Sequence, residues 1–305
     1  MEFKKKRLLL QIGIVIMAFT LIDWAFGKYF DSKVVETNCG AYKKISDYFF
    51  SNKKYDLIIL GNSRAVHQYI PTVFEKKLHT SALNAGMEGT GLYYYNVLIR
   101  YYLQSHQPKL FIIDINNREL EASIVGDKYT AVKFLVPYFN VVPETKEILN
   151  LSLIERICFT SNLYRYNTKF YNIYRNSAQC FEDSDFKGYS PFYGNAKRDI
   201  RIYEDSAKPI DSERISLLSS IIEECKKKNV KLLFVFSPKQ FDDRRTPSRT
   251  ILNSIFKKYD LDVLDFTTDS QFKNNSLFYD AAHLNHDGAT IYSKLLSNKI
   301  KSLQL

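Results

Sequence analysis

The sequence predicts an α/β domain in which a mainly parallel sheet carries helices on both faces. Five short apolar runs are continuous rather than alternating, which is typical of strands that are covered on both sides. Stretches of helical length lie between or beside these runs. Because strands and helices that alternate in this way build parallel sheets, the pattern indicates a layered architecture.

The elements follow one another in a regular order along the chain. We expect buried strands at residues 56–63, 81–86, 109–116, 231–238 and 261–267. The expected helices lie at residues 72–79, 92–105, 211–229, 247–259 and 286–303. In the helix at 211–229, Asp211 and Glu213 stand at the start and Lys226–Lys228 at the end, as the helix dipole favours.

The regular order breaks at about residues 119–208, which we interpret as an insertion after the third strand. This segment is rich in Tyr, Phe and Asn and has no clear period. Such an insertion commonly folds over the carboxyl edge of the sheet, where it can shape a pocket. Its aromatic side chains would either stack against sugar rings or form a small core of their own.

Composition restricts the function classes. The chain has 305 residues, 45% hydrophobic content and 25% charge, which fits one large globular domain or two small ones. Its net charge of +10 suits nucleic acid, an anionic membrane surface or an anionic polymer. Because no zinc-finger, helix-turn-helix or RNP-like motif is present, we expect no nucleic-acid partner.

The amino terminus predicts a membrane anchor. Four cations, Lys4–Arg7, precede an apolar stretch, Leu8–Phe26. A helix of about 19 residues at 1.5 Å per residue nearly spans the ~30 Å hydrocarbon core, and the cations favour a cytoplasmic amino terminus. Trp24 and Tyr29 would then lie at the outer membrane interface. The competing interpretation is a signal peptide cleaved near residues 25–27, and either interpretation places the rest of the protein outside the cytoplasmic membrane.

The expected layout is therefore an anchor at residues 1–30, a connector at 31–54 and one domain at 55–305 that contains the insertion. The four cysteines, Cys39, Cys158, Cys180 and Cys225, form no CxxC pair, so they indicate no metal site. Cys158 and Cys180 could pair in an oxidising compartment, but reduced thiols are the favoured interpretation.

Three residues provide the parts of a nucleophilic site. Ser63 follows the first strand, and Asp280 and His283 follow the last strand just before a helix. A spacing of three in a short turn lets the carboxylate orient one imidazole nitrogen while the other points outward. Loops after strands that are adjacent at a topological switch point can bring these parts together as nucleophile, base and orienter.

These segments resemble the motif blocks of the SGNH (GDSL-like) hydrolase family. "LGNSRA" is similar to the first block, with Ser63 as nucleophile, and "YDAAHLN" to the last, with Asp280 and His283 in the triad. "NAGMEGT" is similar to the second block and places Gly89 in the oxyanion hole with the N–H of Ser63. The resemblance covers roughly residues 55–120 and 210–300 and implies a flavodoxin-like three-layer α/β/α fold.

The chain departs from the family pattern in two blocks. Asn62 stands where the first block usually has Asp, which leaves the nucleophile in place. The third block, "DINNRE", lacks the usual Gly-x-Asn-Asp, and strict register puts Arg118 at the position of the side-chain oxyanion donor. Asn117 is our expectation for that donor, with Asn116 and Arg118 as alternatives.

The resemblance implies acyl transfer that needs no cofactor and no metal. We expect an enzyme that removes or transfers an acyl group, acetyl being the favoured one, on a cell-envelope or exported polysaccharide. Family members of this kind also imply a membrane-bound O-acyltransferase as a partner. Hydrolysis and transfer stay open, because they differ only in whether water or a sugar hydroxyl reaches the acyl-enzyme first. A non-catalytic anchored domain that binds a glycan or an acyltransferase is the alternative, and a membrane lipid esterase is a third interpretation.

Four other residues have both a functional and a structural interpretation. Arg64 and Arg118 are candidates for binding the substrate, and for Arg64 a structural hydrogen bond to nearby loops is equally acceptable. His67 is predicted to be a surface residue and His286 a first-turn residue of the last helix.

Overall fold

A computed structural model of the protein describes residues 2–122, 126–180, 187–195 and 208–304. Its strands are β1 (Leu57–Leu60), β2 (Ala82–Asn84), β3 (Leu110–Asp114), β4 (Lys231–Phe236) and β5 (Asp262–Asp265). Its α-helices are α1 (Glu2–Val35), α2 (Gly40–Phe50), α3 (Ser63–Gln68), α4 (Pro71–Leu78), α5 (Leu92–Ser105), α6 (Asp127–Leu135), α7 (Glu144–Ile148), α8 (Leu153–Cys158), α9 (Asn162–Tyr166), α10 (Phe170–Ala178), α11 (Ser212–Lys227), α12 (Pro247–Lys258) and α13 (His286–Ser302).

The five strands form one sheet in the order β2-β1-β3-β4-β5, and every neighbouring pair is parallel. This order is that of flavodoxin-like sheets, so the predicted α/β fold is confirmed. β1 and β3 are buried along their whole length because each has a neighbour on both sides and helices on both faces. The fifth strand was expected to be buried as well, and here the expectation is wrong. β5 is an edge strand whose terminal residues, Asp262 and Asp265, are exposed.

Alternate residues of the strands pack against different helices. Ile59 and Ile112 point to the face covered by α4 and α13, where Phe74 and Tyr292 belong to the same hydrophobic cluster. On the other face, Phe234 stacks on Phe256 of α12 with 4.7 Å between ring centroids, and α11 packs on β4 and α5. The three-layer arrangement follows from this division of the apolar side chains.

The chain forms two compact units. The sheet unit comprises residues 48–133 and 184–305, and the helical unit comprises residues 1–47 and 134–183. Residues 31–54, expected as a connector, hold the end of α1 and all of α2. The expected insertion contributes residues to both units and holds helices α6 to α10.

The first part of α1 is exposed and apolar, whereas its end packs within the helical unit. Its most apolar 18-residue window has a mean hydropathy of 2.0 and no buried part, so it is long and apolar enough to cross a membrane. A signal sequence near the amino terminus has the same character. The buried residues of α1 all lie near its end, at Gly27, Phe30 and Val34.

A disulfide joins Cys39 and Cys180 in the helical unit, with 5.6 Å between their Cα atoms. The sequence favoured reduced thiols at Cys158 and Cys180, which is wrong for Cys180, and the pairing of Cys180 with Cys158 that it offered as the alternative is also wrong. Cys158 and Cys225 carry free thiols. The pairing depends on the helices that bring residues 39 and 180 together. Asn38, for example, donates its backbone N–H to the carbonyl of Asn176 at 2.9 Å.

Candidate active site

Ser63 lies directly after the end of β1, as the first residue of α3. Gly61 makes the sharp turn between strand and helix. Its φ is +157°, and a Cβ there would stand 2.6 Å from the Cβ of Ala65 and 2.9 Å from that of Asp114. Asn62 then caps α3, because its side chain accepts the N–H of Arg64 at 3.1 Å. This turn places the Ser63 hydroxyl at the carboxyl edge of the sheet, where ligands bind in α/β folds.

The structure brings Ser63, His283 and Asp280 together. Oγ of Ser63 lies 2.8 Å from Nε2 of His283, and Nδ1 of the same ring lies 2.9 Å from Oδ2 of Asp280. A ring that donates its Nδ1–H to a carboxylate keeps Nε2 free to accept the serine proton. The arrangement is that of a nucleophile, a general base and a carboxylate that orients the base.

The Asp280 carboxylate is held by more than the imidazole. Oδ1 accepts the backbone N–H groups of Ala282 at 2.8 Å and of His283 at 2.9 Å. Partial burial raises the pKa of Asp280, but the hydrogen bonds from His283 and Ala282 outweigh it and hold the pKa below its ordinary value. Asp280 is therefore ionised at neutral pH.

The segment after β2 places Gly89 next to this turn. The backbone N–H of Met87 donates to the carbonyl of Gly61 at 3.0 Å, so the segment runs alongside the end of β1. Asn84 fixes it further, since its side chain donates to the carbonyl of Ala65 at 2.6 Å. Gly89 has a φ of +67°, a left-handed conformation that favours glycine. Among the described residues, no acceptor takes the N–H of Ser63 or that of Gly89.

A polar cavity of about 290 Å³ lies at this edge of the sheet, lined by Asn62, Gly89, Asn116, Arg118 and Glu119 among others. Glu119 is buried within it. Burial, and then the neighbouring carboxylate of Asp127, raise the pKa of Glu119 to about 7. The lining therefore combines amide, guanidinium and carboxyl groups, which bind hydroxyl-rich molecules through hydrogen bonds.

Asn117, the expected third oxyanion donor, is occupied elsewhere. Its side-chain amide donates to the carboxylate of Asp243, and its Oδ1 accepts from Arg249 at 2.7 Å. Asn117 is also fully buried. The neighbouring Asn116 lines the polar cavity together with Asn62 and Gly89. The Asn117 side chain is thus engaged outside the cavity, whereas Asn116, which the sequence held as an alternative, is part of the cavity lining.

The two candidate substrate-binding arginines differ in their surroundings. Arg64 is buried, donates to the carbonyl of Ile115 at 3.1 Å and lies 3.4 Å from the Asp114 carboxylate. These contacts match the structural interpretation of Arg64 and contradict a role in binding substrate. Arg118 lines the polar cavity, where its Nε lies 3.1 Å from Oε2 of Glu121.

An aromatic stack beside the triad was missed by the sequence analysis. Phe192 lies between His67 and Tyr279, with ring centroids 3.7 Å and 4.3 Å away, and is 5.7 Å from the His283 ring. His67 was expected at the surface and is buried instead. Its Nδ1 lies 2.6 Å from the carbonyl of Ser190 and its Nε2 lies 2.8 Å from Glu88. The signal available in the sequence was "SPFYGN" in the aromatic insertion, which folds here against the site.

His286 is the first residue of α13, as expected, and its Nδ1 lies 3.0 Å from the hydroxyl of Tyr189. It is therefore held by the same described part of the insertion, residues 187–195, that covers His67. Asn285 precedes it as the cap of α13 and accepts the N–H of Gly288 at 3.0 Å. This cap fixes the start of the helix three residues after His283.

No protein-family model and no curated protein matches the chain. Solved structures resemble it at low identity. A proposed lipolytic protein of the G-D-S-L family from Desulfitobacterium hafniense DCB-2 shares 11% identity, with 79% of this chain and 97% of that chain covered and a TM-score of 0.40. A carbohydrate acetylesterase family member from Sinorhizobium meliloti shares 11% identity, with 81% and 98% covered and a TM-score of 0.34. A proposed platelet activating factor from Streptococcus pneumonia shares 10% identity, with 93% and 99% covered and a TM-score of 0.45. At these TM-scores the structural similarities give no evidence about the activity of this chain.

Proposed function

We propose that the protein is a membrane-anchored, extracytoplasmic SGNH-type enzyme that removes or transfers an acyl group on a cell-envelope or exported polysaccharide. The observation that carries the proposal is the 2.8 Å contact between Ser63 Oγ and His283 Nε2, with Asp280 on the other ring nitrogen. A serine in this relation to an imidazole is activated for attack on an ester carbonyl.

In the first half of the reaction, Ser63 Oγ attacks the ester carbonyl carbon and its proton passes to Nε2 of His283. Asp280 stabilises the imidazolium that forms. The N–H groups of Ser63 and Gly89 and the side-chain amide of Asn116 receive the negative charge of the tetrahedral intermediate. When the intermediate collapses, the alcohol leaves with the proton from His283, and the acyl group stays on Ser63.

In the second half, His283 takes a proton from the acceptor as the acceptor attacks the acyl-serine carbonyl. When this tetrahedral intermediate collapses, the bond to Ser63 Oγ breaks and His283 returns the proton to Oγ, which regenerates the free hydroxyl. Water as acceptor gives an esterase, and a sugar hydroxyl gives an acyltransferase. The identity of the acceptor depends on what occupies the cavity next to the acyl group at that moment.

The polar cavity supports a hydroxyl-rich substrate over a lipid chain. Its lining includes Asn116, Arg118 and Glu119, whereas an acyl chain requires an apolar groove. The stack of Tyr279 on Phe192 adds an aromatic face beside the triad, with Tyr279 exposed to solvent. Aromatic faces of this kind pack against the apolar faces of sugar rings.

Two features of the helical unit support the proposed location. The apolar part of α1 is long enough to span a bilayer, and Lys4–Arg7 before it favour a cytoplasmic amino terminus. The Cys39–Cys180 disulfide suits an oxidising compartment outside the cytoplasm. We propose the membrane itself and a membrane-bound O-acyltransferase as partners of the anchored protein.

A fluorophosphonate probe tests the proposal, because it phosphonylates only an activated serine. We expect the purified protein to be labelled and the Ser63→Ala variant to lose the label. A Ser302→Ala variant is the matched control, since Ser302 lies exposed at the end of α13. An unlabelled wild-type protein that still binds glycan would support the non-catalytic alternative and contradict the enzyme.

A further inference from the structure

Helix α8 carries an exposed apolar face. Leu153 and Ile154 are 73% and 74% exposed, Ile157 is 60% exposed, and no residue of the helix is buried. Because residues three or four apart share a face of a helix, Ile157 lies beside both of the others. These three side chains, called here the α8 face, form a continuous aliphatic surface.

The polar residues of α8 are bonded back onto the protein. Ser152 and Glu155 form a capping box, in which the backbone N–H of Ser152 donates to the Glu155 carboxylate at 2.8 Å. Nε of Arg156 donates to the carbonyl of Leu151 at 3.0 Å. Glu155 and Arg156 are exposed as well, so α8 differs from an ordinary surface helix in that its apolar side chains also face solvent.

Contacts within the helical unit fix the start of α9, the helix that follows α8, at a defined point of α1. The carboxylate of Asp23 accepts the hydroxyl of Ser161 at 2.7 Å and the backbone N–H groups of Asn162 and Leu163 at 2.9 Å each. These donors form the start of α9, which follows α8 after a three-residue turn at 159–161. Gly27 makes the approach close, since a Cβ there would stand 2.3 Å from Cγ of Asn162.

The position of Asp23 along α1 gives the depth of this contact. Leu8 is the first residue of the apolar stretch, and Asp23 follows it by fifteen residues. At 1.5 Å per residue this separation is roughly 22 Å along the helix. The hydrocarbon core is ~30 Å thick, so Asp23 would lie below its outer edge. A carboxylate at that depth requires hydrogen-bond partners, and the start of α9 supplies them.

We propose that α8 lies in the outer leaflet of the membrane, with the α8 face in contact with the lipid acyl chains. This inference rests on the proposed anchoring of the protein by α1. The α8 face is close in sequence to a contact with the part of α1 proposed to lie in the membrane, because only three residues separate α8 from α9, whose start is bonded to Asp23. Trp24 and Tyr164, both exposed, take positions suited to the aromatic belt of the same interface.

Quenching of tryptophan emission by brominated lipids tests the proposal. The full chain is placed in phosphatidylcholine vesicles whose acyl chains carry bromine near their top, so that a tryptophan at that depth loses emission. Trp24 is the only tryptophan, so a Trp24→Phe background isolates each new reporter. An interfacial helix buries its apolar face about 5–10 Å into the headgroup and acyl boundary, so we expect Ile154→Trp to lose most of its emission. The control Ile291→Trp, at an exposed position of α13, keeps its emission.

Failure of this proposal is distinguishable from failure of the anchoring. If unmodified Trp24 is quenched while Ile154→Trp emits as strongly as Ile291→Trp, α1 is in the bilayer and the position of α8 is refuted. If neither Trp24 nor Ile154→Trp is quenched, the anchoring and the inference both fail. Fluorophosphonate labelling of each variant compared with the unmodified chain checks that the substitutions leave the fold intact.

Discussion

Ser63 and His283 are joined by a 2.8 Å hydrogen bond although 220 positions separate them in the chain. They meet because α13, which begins soon after His283, packs against α3, which Ser63 begins. Ser293 of α13 fixes the contact, since its hydroxyl accepts the N–H of Ile70 at 3.0 Å and donates to the carbonyl of Gln68 at 3.2 Å. The packing of two helices thus sets the distance between nucleophile and base.

Replacing the orienting carboxylate should impair the chemical step. We expect Asp280→Asn to lower kcat for p-nitrophenyl acetate by about 10⁴ with little change in KM, because the amide favours the wrong imidazole tautomer. Asp260→Asn is the control, since Asp260 is exposed and has a φ of 49°, which asparagine adopts readily. Equal kcat values for Asp280→Asn and the unmodified protein would contradict the assigned triad.

Asn116 and Asn117 should respond differently to the same substitution. Asn116→Ala removes a proposed oxyanion donor, so we expect kcat to fall by about 10²–10³ with an unchanged free energy of unfolding. Asn117→Ala removes the partner of Asp243 and Arg249 and should lower the free energy of unfolding by about 1–3 kcal/mol. Steady-state kinetics and urea unfolding separate the two effects, and a reversed pattern would restore Asn117 as the donor.

Glu119 should make the protein less stable as the pH rises. Its pKa is about 7 in the folded protein and 4.5 ordinarily, so between these values the folded state binds more protons than the unfolded state. The free energy of unfolding therefore falls across that window, by about 3 kcal/mol if the shift is fully expressed. In urea unfolding at a series of pH values, Glu119→Gln should show a smaller decrease of the free energy of unfolding across this window. Glu147→Gln, at an exposed position, should show the same decrease as the unmodified protein.

The Cys39–Cys180 disulfide should stabilise the helical unit, since it closes a loop of 141 residues. Removing a disulfide typically costs about 2–5 kcal/mol, so we expect Cys180→Ser to lower the Tm clearly. Cys158→Ser, which replaces a free thiol, should leave it nearly unchanged. A reductant should shift the Tm of the Cys158→Ser protein and leave that of Cys180→Ser where it is. Identical Tm values for the two variants would mean that Cys180 is not bridged.

The sequence predicted the sheet and the three residues that meet at its edge because both depend on local patterns. Continuous apolar runs report burial on both faces, and the helix at residues 92–105 has the bounds that its sequence indicated. The edge position of β5 was not visible, because an edge strand is defined by the neighbour it lacks. Helices α7 to α10 have five to nine residues, too few to give a helical period.

Other failures concern side chains whose partners are distant in sequence. Asn116 and Asn117 are adjacent, and which amide faces the cavity depends on Asp243 and Arg249, more than 120 positions away. His67 was expected at the surface because no orienting carboxylate is adjacent to it in the sequence, and it is covered by Phe192 from the insertion. Spacing along the chain contains no information on such contacts.

The hydrogen bonds between the Asp23 carboxylate and the start of α9 also have a consequence for proteolytic processing. A peptidase that cut near residues 25–27 would have to open α1, which runs unbroken from Glu2 to Val35. The cut would also remove the carboxylate that four donors at residues 161–163 share. The end of α1 is thus an integral piece of the folded helical unit, which supports the proposed anchor over a cleaved signal peptide.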